Sequence, residues 1–579
     1  MNNSDSNTGM TRRKFITVAG GVAGLAALGS MGIYSGWGKN ETELNTEEMM
    51  NEEHSSDVLV IGSGMAGLFA AVKAHDAGSK VIMVSKGRLG SSGQTPFAKG
   101  IFAYDSKTSE VNLDEFVAQV SRSALGTNNP VYTRQMAEHS LARVNELKEW
   151  GFFDSVLYNK PFCKPMAQRN IPVVERIMIT NLVKENGRIA GAAGFSLDEE
   201  TIHLFKAKSV ILCTGAGGFK PNGFPICDLT HDGTIMAYQI GAKVTGKEWN
   251  DGHPGKAKNP AACFDGWGNM FERKPELTSV EIHHDLGVDM NYLAYMKGNP
   301  FKMGPPGSEE NINISGGPCR PAEFSRNGHA GEPPKPPKGK RPPKKGGTPP
   351  GMGGNSVGGS SAGMAIHKSE GLVPINDKCE SNIPGLYAAG DALGSYMAGA
   401  IYTQVGSSLA GSAVQGGIAG EAAAEYCKTV EMQTILPVKM NEIQEEILAP
   451  LKRESGYSPA WVTQTLQGIM IPNFILYIKK EKLMQAALAY IEELRDHHMP
   501  MLRAADMHEL RLAHETRNMI ISAEMKLKAS IMRKESRCSH YRLDYPEMDN
   551  ENWQAWINIF KGDDGEMKLE KQAFGSWPV

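Results

Sequence analysis

Residues 58–87 read VLVIGSGMAGLFAAVKAHDAGSKVIMVSKG, and this stretch decides the fold. Four apolar residues, Val58 to Ile61, run into a glycine turn, then a helical stretch, then a second apolar run from Val81 to Val84. That order predicts a β-α-β unit. In the turn, Gly62 permits the tight bend, Gly64 lets backbone approach a pyrophosphate, and Gly67 allows close packing of helix on strand. The helix N-terminus, with Met65 and Ala66 in its first turn, offers amides to phosphate. The second strand ends in Ser85-Lys86, without the acid that an NAD site places on the ribose.

Outward from this unit the pattern continues. Residues 177–195, IMITNLVKENGRIAGAAGF, predict a hairpin turning at Asn186-Gly187, and residues 208–218, KSVILCTGAGG, a further buried strand. From about residue 430 the apolar period becomes helical, as in residues 481–502 and 508–537. The expected architecture is α/β, a Rossmann-like dinucleotide-binding domain with an insertion and a C-terminal helical domain. Its Rossmann-like part comprises residues 57–253 and 372–430, its insertion 254–371 and its helical part 431–579.

Before the fold begins, Arg12 and Arg13 precede a short Gly/Ala-rich apolar stretch, and residues 1–38 read as a twin-arginine export signal. An uncleaved N-terminal anchor is the alternative, since no clean A-x-A site follows. Residues 39–56 are rich in Glu and read as a solvated linker. Residues 328–363 interleave Pro and Gly with six basic residues from Lys335 to Lys345. They read either as an exposed polyproline-like insertion without specific role, or as a docking arm for an acidic carrier or an anionic surface polymer. With 579 residues the chain holds several domain equivalents, and a net charge of −3 implies no nucleic-acid partner. The eight cysteines show no C-x-x-C, so no zinc ribbon, covalent haem or iron–sulfur cluster is expected, and no metal ligand is assigned. Any redox chemistry must then draw its carriers from an organic cofactor or a partner subunit.

The motifs resemble the flavoprotein subunits of the fumarate reductase, succinate dehydrogenase, L-aspartate oxidase and adenylylsulfate reductase superfamily. The likeness rests on Ser85-Lys86, on GSSGQTPFAKG (90–100), TGAGG (214–218), LTHDGTIMAYQIGAKVTGKEW (229–249) and IPGLYAAGDA (383–392). It continues through GSSLAGSAVQGGIAG (406–420) and RKESRCSHYRLDYPEMDNENW (533–553), in family order. The helical tail is most similar to adenylylsulfate reductase, including a short strand pair with a Gly turn after the tryptophan. The resemblance implies that the Rossmann-like part is an FAD-binding domain and the insertion 254–371 a capping domain, with Gly62, Gly64 and Gly67 at the pyrophosphate and Ser85 and Lys86 near the adenosine ribose. Ser92, Thr95 and Gly100 belong to the segment that wraps the flavin, and Thr214, Gly215 and Asp232 to the neighbouring motifs. Asp391 would bind the ribityl chain, with Ser407, Ser408 and Leu409 at the pyrimidine end. A helix read over residues 411–420 would aim its positive end there, although the serines equally suit N-capping. Gly93-Gln94 replaces the histidine that bonds flavin in succinate dehydrogenases, which implies noncovalent FAD.

For the substrate the family pattern is broken. Residues 358–363 lack the clamp histidine, and Ile401 to Gln404 stand where a substrate-binding arginine is expected. Loss of a bidentate guanidinium disfavours unmodified fumarate or succinate. His253, in WNDGHPG, matches a family histidine near the substrate, against an ordinary structural role. Tyr402 is read as a hydrogen-bond or proton donor, or as packing. Arg326 is the candidate proton-donating or anion-binding arginine, ahead of Arg320, Arg169 and Arg176, against a surface role for each. The export signal implies a place in the periplasm or on the cell-surface side of the membrane, and the resemblance implies an enzyme that reduces an activated C=C bond of a small organic substrate. Electrons would come from a separate cytochrome, iron–sulfur subunit or quinol-linked partner, with possible peripheral membrane association. A dehydrogenase or oxidase running in reverse, or a noncatalytic electron-transfer protein, are the alternatives.

Overall fold

The computed structural model describes residues 49–220, 226, 228–250, 254–257, 272–280, 282, 357–360, 370–394, 396–400, 404–470, 473–476 and 478–576. Strand β1 (Met50–Ile61) leads into helix α1 (Met65–Asp76) and strand β2 (Val81–Ser85), as the opening motif predicts. Residues 58–61 lack a polar face because they lie mid-sheet, parallel to β2 on one side and to β6 (Thr201–Leu212) on the other. Beyond β2 lies β3 (Val173–Glu175), and beyond β6 lie the antiparallel strands β5 (Arg188–Ser196) and β4 (Ile177–Glu185). The turn between β4 and β5 is Asn186-Gly187, both at positive φ (48° and 80°), the mirror-image turn whose twist suits a hairpin.

Helix α2 (Pro130–Trp150) precedes β3 and α3 (Asp232–Gln239) follows β6, before the short strands β7 (Val244–Thr245), β8 (Gly371–Leu372) and β9 (Leu386–Ala388). Strand β9 joins the main sheet alongside β6. Helix α4 (Ser407–Cys427) then returns over α1. Nine of the twelve α1 residues are buried, which explains why the helix is apolar nearly all round. The two helices touch at backbone level. A Cβ on Gly416 would stand 2.2 Å from the Ala66 carbonyl oxygen, and one on Gly420 would stand 2.4 Å from that of Ala70.

The C-terminal part packs α5 (Pro459–Met470), α6 (Glu481–Glu493) and the long α7 (Met507–Met532) around a core that includes Leu466, Met484, Ile491, Met519 and Ile520. It does not end helical. Strands β10 (Ala555–Lys561) and β11 (Met567–Ala573) form a hairpin whose first strand pairs with β7, giving a sheet in the order β8-β7-β10-β11. Trp556 anchors this hairpin, its indole Nε1 donating to the Thr127 carbonyl at 3.2 Å.

Three boundaries differ from the sequence reading. The solvated linker does not extend to residue 56, because residues 50–56 already pair in register with residues 201–207 of β6 as the first half of β1. Charged side chains fit there because this half has a strand on one side only. The last part of the basic insertion is also strand, with Val357–Ser360 antiparallel to Pro254–Ala257, so the two ends of the capping segment meet. Helix α4 begins at Ser407, four residues before the expected start. The export signal and most of the capping segment lie outside the described residues. Among those described, no helix is long and apolar enough to cross a membrane.

His514 on α7 is a core residue: it is 5% exposed, with its Nε2 2.9 Å from the Ile447 carbonyl oxygen and its ring against Phe195. Burial pushes the imidazole down to about 4 from an ordinary 6.5. The unfolded chain takes up the proton near 6.5 while the folded protein refuses it to about 4, so stability falls as pH drops through that window. Denaturant titrations from pH 7 to 4 should show an acid loss of up to about 3 kcal/mol from this group. The loss should diminish in His514→Gln, which keeps a neutral donor.

Candidate active site

Where β1, β2 and β6 end, their C-terminal edges open on one cleft. It encloses about 880 Å³ including its mouth, within the ~300–1,000 Å³ usual for small-molecule sites. Gly62, Gly64, Met65 and Ala66 line one wall, Ser85, Lys86, Ser92 and Thr95 another, and Thr214, Gly215, Asp232 and Asp391 the rest. A second cavity of about 350 Å³ shares Asp391 and Ser412 with the first and is lined by Ser407 and Ser408. The two run together along the N-terminal half of α4.

The strand ends need this geometry. Gly62 stands at φ 113°, and a Cβ there would lie 2.2 Å from the Cys213 carbonyl oxygen at the end of β6. Gly67 is behind the turn rather than on the cleft, where its Cβ would lie 2.0 Å from the Gly62 oxygen. Helix α1 has no side-chain cap at Gly64 and no acid in its first turn. Of its leading amides, Met65 N–H donates to Thr95 Oγ1 at 3.1 Å. The hydroxyls of Ser63 and Ser85 are 2.6 Å apart, which fixes Ser85 against the turn.

Lys86 is not a free cation in the cleft. Its ammonium donates to Asp232 Oδ2 at 2.6 Å, to Glu515 Oε1 at 3.0 Å and to Thr230 Oγ1 at 3.2 Å. Burial alone would lower its pKa, but Asp232, Glu515 and Asp228 outweigh that and raise it, so the charge persists. Burial would likewise raise the Asp232 carboxyl. Lys86, with hydrogen bonds from Asn518 and Thr230, holds it below the usual carboxylate range instead. Lys86 and Asp232, expected as separate contacts, therefore form one buried polar post that joins β2, α3 and α7.

Two other expected contacts are packing residues. Gly100 lies in the strand Gly100–Phe102 under Val405 and Gly406, and Leu409 is 3% exposed in the core. Ser407 does not cap α4, because the N-cap is Gly406 and the Ser407 hydroxyl donates to the Gln404 carbonyl at 2.8 Å. Ser408 lies in the first turn of the same helix. The chain also uses residues that local sequence did not single out. Gln415 Oε1 accepts from Gly390 N–H at 2.9 Å and so fixes the turn that carries Asp391, while Asp228 accepts from Gly93 N–H at 3.1 Å. For Gln415 the available signal is the helical period, which sets Ser408, Ser412 and Gln415 on one side of α4; nothing local singles out Asp228.

His253, Tyr402 and Arg326 lie outside the described residues, as does Arg320. Arg169 is engaged at the surface by Asp76, through bonds of 2.6 and 2.9 Å, and Arg176 by Asp198. Neither is a substrate-site arginine. The approach to residue 253 is rigidly held by buried charge. Glu370 accepts from Lys247 at 2.9 Å and contacts His231 at 2.8 Å, and Lys526 of α7 holds the Lys247 and Trp249 carbonyls and Asn250 Oδ1 at 2.6–3.1 Å. Arg533 adds Glu248 and Glu535.

The cleft fits a dinucleotide. An uncapped helix N-terminus adjoins side-chain-free turns, and Thr214 Oγ1 on the cleft wall is buried without a hydrogen-bond partner among the described residues. Comparison with known proteins agrees. Residues 57–162 match the family described as "FAD binding domain", and residues 463–576 match "Fumarate reductase flavoprotein C-term". The chain is 25% identical to one of the subunits of fumarate reductase (CoM/CoB) from Methanothermobacter marburgensis, covering 91% of this chain and all of that one. It is 25% identical to the alpha chain of adenylylsulfate reductase from Megalodesulfovibrio gigas over 38% of this chain and 42% of that one. The fold is that of the E. coli quinol fumarate reductase flavoprotein FrdA, at a TM-score of 0.70 and 19% identity over 91% of this chain and 98% of that one.

Proposed function

Because the chain belongs to the FAD-dependent flavoprotein superfamily of fumarate reductase, succinate dehydrogenase, L-aspartate oxidase and adenylylsulfate reductase, we propose that it reduces an activated C=C bond of a small organic acceptor other than fumarate. It is an FAD-dependent oxidoreductase, and bound FAD supplies the hydride-transfer chemistry. The residues that would hold it are those of the cleft: the α1 N-terminus and glycine turn for the pyrophosphate, Asp391 for the ribityl chain, and the α4 N-terminus with Ser407 and Ser408 for the far end. The α4 end favours negative charge there.

One observation carries the choice of acceptor. The chain keeps the flavin cleft of its fumarate-reducing relatives, yet has Gly358 to Gly363 and Ile401 to Gln404 where a dicarboxylate clamp needs histidine and arginine. An enoate or aryl enoate with a single carboxylate needs fewer such anchors. His253 would orient it and a capping-segment arginine, Arg326 first, would protonate it, with Tyr402 as a hydrogen-bond donor. Twin-arginine residues 12 and 13 support export to the periplasmic or cell-surface side, and a separate cytochrome, iron–sulfur subunit or quinol-linked protein would deliver electrons. The relatives' description as subunits supports such a partner.

The test is anaerobic. Purified flavin-loaded protein, reduced with methyl viologen, is mixed with a panel of enoates, aryl enoates and fumarate, and flavin reoxidation is followed. Rapid reoxidation by a monocarboxylic enoate, with fumarate at least ~100-fold slower, is the expected result. Reoxidation by none of the panel, with reversible titration by an electron-carrier protein, would leave the noncatalytic reading in its place.

A further inference from the structure

At the opposite end of β1 from the cleft, Glu52, His54 and His203 converge. Glu52 and His54 alternate onto one face of β1, and the parallel register sets His203 of β6 opposite Glu52. His54 Nε2 lies 3.1 Å from His203 Nδ1 and 3.5 Å from Glu52 Oε1, and His203 Nδ1 lies 3.7 Å from Glu52 Oε2. Four ligands at ~2.0–2.1 Å around a tetrahedral zinc stand about 3.3 Å apart. The three observed separations bracket that value. Among the described residues this is the group of His, Cys, Asp and Glu side chains spaced to hold an ion.

From this geometry we infer a binding site for one borderline divalent transition-metal ion, of which Zn2+ is representative, with Glu52, His54 and His203 as ligands and an open fourth position. Two imidazoles and one carboxylate suit such an ion and not Ca2+ or Mg2+, which take oxygen ligands. The ring of His54 is fixed by stacking on Phe205, with centroids 4.5 Å apart at 11°. Glu52 is the exposed ligand, which leaves an entry path.

The site acts on the chain rather than on the flavin. At ~3.3 Å per residue, His54 lies roughly 23 Å along the strand from Ile61. Residues 50–56 pair on one side only, and their sequence, MNEEHSS, has little intrinsic strand preference. An ion shared between β1 and β6 would clip this polar strand to its neighbour, where the chain enters the folded body.

The experiment uses the flavin-loaded full chain, freed of metal by chelator and titrated with Zn2+ at pH 7 by calorimetry. One equivalent should bind, uncompeted by excess Mg2+ or Ca2+, and should slow hydrogen exchange in residues 50–56. His54→Phe keeps the stack on Phe205 while deleting a ligand. His203→Ala and Glu52→Gln remove the others. Each should weaken binding by more than the ~10–100-fold that loss of an outer hydrogen-bond partner costs a metal site. Flavin content should stay unchanged. Absence of a stoichiometric site in the unmodified chain, or affinity unaltered in His54→Phe and Glu52→Gln, would overturn the assignment. Should His203→Ala fail to fold, those two variants and the exchange measurement still decide.

Discussion

Gly62→Val is expected to yield a chain that purifies without flavin and with most of its soluble, folded fraction lost. Its φ of 113° is closed to a β-branched residue, and its Cβ would stand 2.2 Å from the Cys213 oxygen and 2.6 Å from the Cys213 carbon. Those atoms end β6, while the Gly62 amide donates to Val84 at the end of β2. Relief would therefore break the central sheet or push the turn into the pyrophosphate site. Overpacking costs ~1–3 kcal/mol or more and a left-handed backbone ~1–2, a large share of a typical ~5–15 kcal/mol of stability. Gly187→Ala is the control. It has positive φ (80°) with nothing within 4 Å of its Cβ, so it should lose a little stability and keep full flavin. The ratio of visible flavin absorbance to protein absorbance, with thermal melting, reads both.

Lys86→Met should cost about 3–5 kcal/mol, because it strands a buried Asp232 carboxylate. Glu515 would be harmed less, since Lys220 also pairs with it at 2.5 Å. The double variant Lys86→Met with Asp232→Asn should recover part of the loss. A coupling of about 1–3 kcal/mol from the double-mutant cycle, measured by denaturant unfolding, is expected. Additive effects would mean that the two groups act separately.

What was legible in the sequence was local. The glycine turn, the flanking apolar strands and the Asn186-Gly187 hairpin each declare themselves within ten or so residues, because short-range sterics and alternation dictate them. The polar post at Lys86 did not, since its partners lie 146 and 429 positions away. Nor did the metal-ligand cluster, because Glu52 and His54 sit in a stretch whose acidity mimics a linker. Only the β1–β6 register, which brings in His203 from 149 positions along, gives them a common purpose. For the flavin, the residue types near the cleft could be read, but packing decided which of them line it: Gly100 and Leu409 serve the core instead.

The hairpin at the end of the chain bears on the order in which the protein is made. Strand β7 finds its partner β10 only 312 positions later, where Thr245 Oγ1 donates to the Ile557 carbonyl. Trp556 reaches still further back, to Thr127. A nascent chain on the ribosome thus carries an open strand edge until β10 emerges, and long-range pairing of this kind forms slowly. The sheet built on β7 is completed only once residues 555–561 have been made, and a nonsense codon anywhere before residue 555 leaves that edge bare.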